Sequence, residues 1–436
     1  MRQLKLRHLF ILSILLLYSP FVADKVNGLE VFSSKEFNKP VNQRISNDKS
    51  EFEYTAYIDK QVERFMRRSD LKGVSLAIIE DEKLVFNRAY GFADKELGIE
   101  TSPEHLFRLA SVSKLITAIA IMHLVEEGKL SLDDQVFGSE GLFNEPEYQN
   151  IRDRKLLDIK VVHLLNHTAG WTQRYGDPMF SPLTIAKIVG VNPPARVDTY
   201  IKFAISRRLY SKPGTMYSYS NMAYVFLGAI IEKITGMSYE NFVQFHLLYP
   251  NGIYDMHLAR NFFEDKYPNE VKYYEVDGDD QVLSSNGDSV YVHKTYGGND
   301  VELLGAAGGW IASASELAKL MTLIDGFNAV PDILSEESIQ KMTQEHNSAL
   351  GWRDSHGGYW IRTGSFAGTA NMILRRPDGV EWVFLSNTSN WQGPKFSREI
   401  NQLMNKITNR VDSWPDMDLF YYYDSESLAD IQPLDN

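Results

Sequence analysis

The pattern of apolar and polar positions predicts β-strands near both ends of the chain. Short runs rich in apolar and β-branched residues are typical of strands, and they occur at residues 73–79, 83–90, 359–363, 370–375 and 381–386. Glu80-Asp81-Glu82 separates the first two runs as a hairpin signal, and Arg376-Pro-Asp-Gly379 is a turn signal between the last two. We therefore expect one sheet to which both ends of the chain contribute strands.

Helical patterns dominate the middle of the chain. Helices are predicted near residues 51–68, 159–167, 196–208, 222–235, 313–325 and 396–409. From Leu115 to Val125 only Thr117 and His123 interrupt the apolar residues, and a helix that is apolar on all sides is a buried one. The predicted fold class is α+β, an antiparallel sheet flanked by helices and built from both chain ends, with a mostly helical inserted subdomain at about residues 111–300.

The two termini have compositions unlike that of the central region. Residues 1–23 resemble a secretory signal, because a basic start precedes a short apolar stretch from Leu9 to Tyr18. That stretch is shorter than a typical membrane-spanning helix, although an uncleaved membrane anchor is the alternative. We predict a secreted or periplasmic protein with a linker at 24–50, a domain at 51–408 and an acidic, aromatic C-terminal tail at 409–436. The tail is either disordered or docked on the domain or on a partner.

Composition narrows the classes of function. The chain has 436 residues, a net charge of −12 and 44% hydrophobic residues, which is ordinary for a globular protein with a substantial core. Nucleic-acid binding is disfavoured, because it relies on a basic surface. With no cysteine, the chain can form neither disulfides nor thiolate metal sites, and it has no cysteine nucleophile.

A Ser-x-x-Lys motif is the first candidate for chemistry. It occurs four times, starting at Ser46, Ser69, Ser111 and Ser338. Ser111 is singled out because it opens the long apolar helix, where unpaired backbone N–H groups and the helix dipole favour negative charge. Lys114 lies on the same helix face, and burial would lower the pKa of its amine. The alternative is a helix-capping serine beside a lysine that extends to the surface.

Two further motifs follow Ser111 in the chain. Tyr219-Ser-Asn221 stands between an upstream Pro-Gly and a downstream apolar helix, and Arg362-Thr-Gly-Ser365 continues into Phe-Ala-Gly-Thr. Together with Ser111-Val-Ser-Lys114, these motifs resemble the serine β-lactamase and penicillin-binding protein superfamily, in its class C β-lactamase, DD-peptidase and esterase branch. The resemblance extends over roughly residues 52–408 and implies a β-lactamase/transpeptidase-like fold.

The resemblance also implies a role for each motif residue. Ser111 is the nucleophile, Lys114 accepts its proton or lowers the pKa of neighbouring hydroxyls, and Tyr219 shuttles protons to the leaving group. Asn221 is expected to hold Lys114 and a substrate amide. In the third motif, which contains Thr363, the backbone N–H of Ser365 and that of Ser111 would form the oxyanion hole, and Gly364 would let the substrate approach the strand closely.

Arg362 departs from the family pattern, in which this position carries lysine or histidine. A guanidinium stays charged, so it cannot relay protons, but it can bind a carboxylate through two hydrogen bonds. We therefore expect Arg362 to anchor an acidic group of the substrate, with a structural salt bridge as the alternative. His356-Gly-Gly358 is a competing match to the third motif.

Other residues have weaker claims to the site. His163 and His167 have helical spacing that can bind a metal, but the family has a similar segment without one, so we predict no metal site. Four aromatic residues that follow loop signals either line the pocket or belong to the core, namely Trp171, Tyr175, Trp310 and Trp352.

These observations predict a secreted serine hydrolase that acts through an acyl-enzyme and needs no cofactor. The expected partner is a small molecule or peptide with an ester or amide carbonyl, in some cases also with a carboxylate. Arg362 favours an esterase or peptidase over a true β-lactamase. The alternative is a non-catalytic or slow-turnover penicillin-binding or assembly protein on the same fold, and the sequence makes no prediction about oligomeric state.

Overall fold

A computed structural model describes residues 39–422 except 277, 279, 345–348 and 391. The predicted signal segment, residues 24–38 of the predicted linker and residues 423–436 of the tail lie outside the described residues. The strands are β1 Gly73–Glu80, β2 Lys83–Asp94, β3 Ile99–Glu100, β4 Phe107–Arg108, β5 His257–Leu258, β6 Tyr274–Glu275, β7 Gln281–Leu283, β8 Tyr291–His293, β9 Trp310–Ala312, β10 Trp360–Phe366, β11 Thr369–Arg375, β12 Val380–Ser386 and β13 Thr388–Ser389. The α-helices are α1 Thr55–Ser69, α2 Ser113–Glu126, α3 Val161–Leu165, α4 Pro182–Val189, α5 Val197–Ile205, α6 Asn221–Thr235, α7 Tyr239–Val243, α8 Ala314–Met321, α9 Glu336–Met342 and α10 Pro394–Thr408.

A six-stranded antiparallel sheet joins the two ends of the domain. Its strand order is β10-β11-β12-β1-β2-β3, so β1 from the N-terminal half pairs directly with β12 from the C-terminal half. Leu76 lies opposite Phe384, which in turn lies opposite Met372. The predicted α+β fold with a sheet built from both chain ends is confirmed.

Alternation along β1 divides the core between the two faces of the sheet. Leu76 and Ile78 belong to the cluster that includes the apolar faces of α1 and α10. Ala77 and Ile79, one residue out of phase, belong to the larger cluster that contains the helical region. This is the behaviour of a strand whose successive side chains point to opposite faces of a sheet, with both faces covered.

Helix α2 is buried as its all-apolar sequence predicts. Eleven of its residues are buried, including the polar residues Lys114 and Thr117. Thr117 satisfies its hydroxyl through the carbonyl oxygen of Ala306 and the hydroxyl of Tyr239. A buried lysine needs comparable partners, and these partners define the candidate site.

The structure corrects the predicted linker over the residues that it describes. Residues 39–50 contain two short 3₁₀ helices, Val41–Gln43 and Asn47–Ser50. Val41 and Ile45 are buried in the main core, and the N–H of Val41 donates to a carboxylate oxygen of Glu316. A mixed polar sequence with only two such anchors has too little periodicity to indicate packing.

The first part of the C-terminal tail docks on the domain. Leu419 and Phe420 are buried in the main core, and Arg44 donates to the carbonyl oxygens of Phe420 and Tyr422. For residues 409–422 the docked alternative therefore holds.

Within the part of the chain that the structure describes, no helix combines the length and the hydropathy needed to cross a membrane.

Candidate active site

Ser111 lies in a tight 3₁₀ turn, Ala110–Val112, which connects β4 to the start of α2. Ala110 has a φ of 49°, a left-handed conformation that is costly for any residue with a Cβ. Such strain is concentrated at functional sites, where the surrounding packing enforces it. Here it places the Ser111 hydroxyl, which is partly exposed, directly before the buried helix.

Lys114 is fully buried one turn further along, and its amine has three oxygen neighbours. Nζ lies 2.7 Å from Oδ1 of Asn221, close to the carbonyl oxygen of Ala307, and 3.2 Å from Oγ of Ser111. The first two oxygens can only accept hydrogen bonds, so they use two N–H groups. In a neutral amine the remaining lone pair then faces the Ser111 hydroxyl.

The electrostatics of Lys114 favour this neutral form. Burial lowers the pKa of Lys114 well below its ordinary value, and the Arg362 guanidinium lowers it further, against a smaller opposing effect of Asp177. Burial disfavours the charged form of any ionisable group, and a nearby like charge adds to that effect. Lys114 is therefore suited to accept a proton from Ser111.

Tyr219 completes the contacts of the Ser111 hydroxyl. Its phenolic oxygen lies 2.7 Å from Oγ of Ser111, and the Lys114 amine is 4.9 Å from the centre of its ring. Burial raises the pKa of Tyr219, although the Arg362 charge and the Ser111 hydrogen bond oppose the shift. Burial therefore favours the phenol of Tyr219 over the phenolate, and a phenol can donate its own proton while it accepts another.

Asn221 is oriented by a carboxylate that the sequence reasoning missed. Oδ1 of Asn221 accepts from Lys114, while Nδ2 donates to Oδ2 of Asp177 over 3.0 Å and its backbone N–H donates to the same oxygen over 3.2 Å. Asp177 therefore fixes which end of the amide faces Lys114. One N–H that we expected to bind a substrate amide is already used, and no motif in the sequence points to Asp177.

Arg362 on β10 lies against the nucleophile. Its Nε donates to the backbone carbonyl of Ser111 over 2.7 Å, and Nη2 is 3.5 Å from the Tyr219 hydroxyl. The side chain is buried, and no carboxylate forms a salt bridge with it among the described residues. The salt-bridge alternative is therefore not what the structure has, and the charge of Arg362 acts on Lys114 and Tyr219.

The structure gives a reason for glycine at position 364 that the sequence analysis did not foresee. A Cβ at this position would lie 2.1 Å from the carbonyl oxygen of Leu109 and 3.3 Å from the Cβ of Ala110. The glycine therefore lets the Ser111 turn approach β10. Thr363 and the exposed Ser365 flank it, opposite Met372 and Ala370 of β11.

The remaining candidates separate into rim and core. Trp171 and Tyr175 line a cavity of about 450 Å³ next to Tyr219, whereas Trp310 and Trp352 are buried core residues. Ser365 lines a second cavity of about 530 Å³.

The other motif matches lie apart from this cluster, except that the ring centre of His167 is 4.5 Å from that of Tyr219. Nδ1 of His163 accepts from the N–H of Lys160 and Nδ1 of His167 accepts from that of Ser220, so the two rings have separate partners. Ser46 bonds to Asp48 and Ser338 to Ser335. His356-Gly-Gly358 forms a surface 3₁₀ turn.

The family model for beta-lactamases matches residues 58–403. The chain belongs to the beta-lactamase family. The match includes all three motifs, which are the segments that meet around Ser111. Membership in this family confirms the resemblance inferred from the motifs.

Known relatives and solved structures agree with this assignment. The chain is 28% identical over 244 residues to Protein flp of Staphylococcus aureus strain N315, which is 55% of this chain and 44% of that protein. An octameric penicillin-binding protein homologue from Pyrococcus abyssi has a TM-score of 0.60 at 25% identity, covering 80% of this chain and 77% of that chain. The D-amino acid amidase of Ochrobactrum anthropi SV3 has a TM-score of 0.63 at 20% identity, covering 82% and 98%.

The chain thus spans less than half of the length of the staphylococcal relative. The likeness to the amidase, at 20% sequence identity, is evidence for the fold of this chain only.

Proposed function

We propose that this protein is a serine hydrolase that cleaves an ester or amide bond through an acyl-enzyme on Ser111. The observation that carries the proposal is the geometry around Oγ of Ser111, which lies 3.2 Å from a buried lysine amine and 2.7 Å from a phenol. A nucleophile within hydrogen-bond reach of a base, with that base oriented by a third group, is the arrangement expected for covalent catalysis. Asn221 is the orienting group here.

In the acylation step, the proton of the Ser111 hydroxyl passes to the neutral amine of Lys114 while Oγ attacks the substrate carbonyl carbon. The negative charge then forms on the carbonyl oxygen, where the N–H groups of Ser111 and Ser365 are proposed to stabilise it. Collapse of this intermediate breaks the bond to the leaving group, which takes the proton from Lys114 through Tyr219. Water repeats the sequence with the acyl group as the electrophile and restores the free serine.

The proposed substrate class is an ester or a D-amino-acid amide in preference to a β-lactam. Arg362 is bonded to the Ser111 carbonyl and faces Tyr219, and its permanent charge replaces the lysine or histidine usual at this position. The fold shared with a D-amino acid amidase supports an amide or ester substrate. The basic and apolar start of residues 1–23 supports export, to the periplasm or outside the cell.

Active-site labelling tests the proposal directly. A fluorophosphonate probe should label the wild-type protein and the Ser46→Ala variant equally, because Ser46 has the same motif but lies apart from the site. Ser111→Ala should lose the label together with hydrolysis of 4-nitrophenyl acetate. Equal labelling of Ser111→Ala and wild type would exclude Ser111 as the nucleophile.

A further inference from the structure

The cavity beside Tyr219 has a predominantly apolar wall. It has a volume of about 450 Å³ and is lined by Ile185 and Ile188 of α4, Phe203 of α5, and the aromatic rings of Trp171 and Tyr175. Tyr219 itself lines the same cavity and bonds to the Ser111 hydroxyl. A group that occupies this space therefore lies against the tyrosine that bonds to the nucleophile.

Two arginines interrupt this apolar wall. Arg207 and Arg208 follow the end of α5 and line the cavity, and neither has a carboxylate partner among the residues that the structure describes. Arg207 lies over the ring of Phe203, with 4.7 Å between the guanidinium carbon and the ring centre. Its Nε is buried and has no hydrogen-bond partner in the described chain.

The position of the two arginines has an ordinary explanation, but the unpaired, buried Nε of Arg207 does not. Cations are favoured near the C-terminus of a helix because of its dipole, which accounts for two arginines after α5. The dipole supplies no acceptor for Nε of Arg207, and a buried donor without an acceptor is costly. Asp177, the carboxylate that lines the same cavity, is already bonded to Asn221, Met179 and Gln173.

We propose that this cavity binds one half of the substrate, and that this half is an apolar or aromatic group ending in a carboxylate held by Arg207 and Arg208. The proposal rests on the proposed function at Ser111. The apolar wall fits the carbon skeleton, and two guanidinium groups provide the donors that a carboxylate prefers. The substrate class is therefore narrowed to carboxylate-bearing esters or amides, recognised at a place separate from Arg362.

Two matched pairs of esters test which half of the substrate carries the carboxylate. The acyl pair is 4-nitrophenyl hexanoate and 4-nitrophenyl hydrogen adipate, and the leaving-group pair is 4-propylphenyl acetate and 3-(4-acetoxyphenyl)propanoate. In one of the two pairs, the wild-type protein should have a higher kcat/KM for the anionic ester than for the neutral ester. That pair identifies the half of the substrate that carries the carboxylate. The double variant R207Q/R208Q should reduce the ratio of anionic to neutral kcat/KM by about 10- to 100-fold, the range for lost charge-assisted hydrogen bonds.

Arg154→Gln is the matched control, because Arg154 is exposed and does not line the cavity. It should leave the ratio unchanged. Fluorophosphonate labelling of the double variant shows that its active site is folded. The inference is overturned if neither pair favours its anionic member, or if the preference survives in R207Q/R208Q.

A binding measurement separates failure of this inference from failure of the hydrolase proposal. In the Ser111→Ala variant, calorimetric titration with 4-phenylbutyrate should show binding that 4-phenylbutanol lacks and that R207Q/R208Q abolishes. Binding without any Ser111-dependent hydrolysis would contradict the proposed function while supporting the cavity. Hydrolysis of the neutral esters with no arginine-dependent binding would retain the hydrolase and contradict the cavity.

Discussion

Replacing Gly364 with alanine should push β10 away from the nucleophile turn. The new Cβ would lie 2.1 Å from the carbonyl oxygen of Leu109, whereas ordinary contacts of this kind begin at 3.4 Å. The strand or the turn must therefore move by about 1 Å, and a misplacement of that size in a catalytic constellation costs about a hundredfold in rate. Overpacking of a tight contact also costs about 1–3 kcal/mol of stability.

The assay combines steady-state kinetics with thermal unfolding. For Gly364→Ala we expect kcat for 4-nitrophenyl acetate to fall about a hundredfold and Tm to fall by a few degrees. Gly308→Ala is the matched control, because its Cβ would also face Ala110 but at an ordinary 3.7 Å. It should keep a Tm and a kcat close to those of wild type.

The result also separates two explanations for the glycine. If Gly364 serves substrate approach, the alanine variant should show a raised KM with an unchanged Tm. If it serves the packing of the Ser111 turn, kcat and Tm should fall together. Wild-type kcat and Tm in Gly364→Ala, or equal damage in Gly308→Ala, would refute the steric reasoning.

Three further predictions concern charge in and around the site. Asp177→Ala removes the acceptor that orients Asn221, so kcat for 4-nitrophenyl acetate should fall by about 10- to 100-fold; an unchanged kcat would mean that Asn221 needs no such support. Because neutral Lys114 is the proposed base, kcat/KM should fall as pH drops through the pKa of Lys114, which Asp177 raises and Arg362 lowers. Asp177→Asn should therefore move the acid limb of the pH profile to lower pH, and Arg362→Gln should move it to higher pH. Shifts of both variants in the same direction would contradict the assignment of Lys114 as the base. Burial raises the pKa of Asp332 to about 7, above its value in the unfolded chain. The contribution of the Asp332 carboxyl to stability is therefore present at low pH and is lost as pH rises through 7. Asp332→Asn should gain Tm relative to wild type as pH increases, and a constant difference in Tm across pH would count against this reasoning.

The large elements of the fold were predictable because their patterns are long and regular. The strands β1, β2, β11 and β12 and the buried helix α2 lie where alternation and continuous apolarity place them. The docking of residues 39–50 was not predictable, and that of residues 409–422 remained one of two alternatives, because a few anchors such as Val41 and Phe420 give no periodic signal. Their burial depends on surfaces built by distant parts of the chain.

The candidate site was predictable to the extent that its chemistry follows motif spacing. The contacts of Ser111, Lys114, Tyr219 and Asn221 join residues that the sequence reasoning had paired. Asp177 was missed because it lies in a loop without a motif, and its role exists only through the orientation of Asn221. The packing of Gly364 against Leu109 was not foreseen, because a close approach between two backbone segments leaves no trace in either segment alone.

The central claim is that Ser111 is acylated during turnover, and intact-mass spectrometry after rapid quenching measures this most directly. Brief exposure to 4-nitrophenyl acetate should add one acetyl group, located by peptide mapping to the segment that contains Ser111. The adduct should be absent in Ser111→Ala, present in Ser46→Ala and lost as substrate is exhausted, whereas a persistent adduct would identify a slow-turnover binding protein. Ester hydrolysis without any adduct at early times, or an equal adduct in Ser111→Ala, would contradict the account.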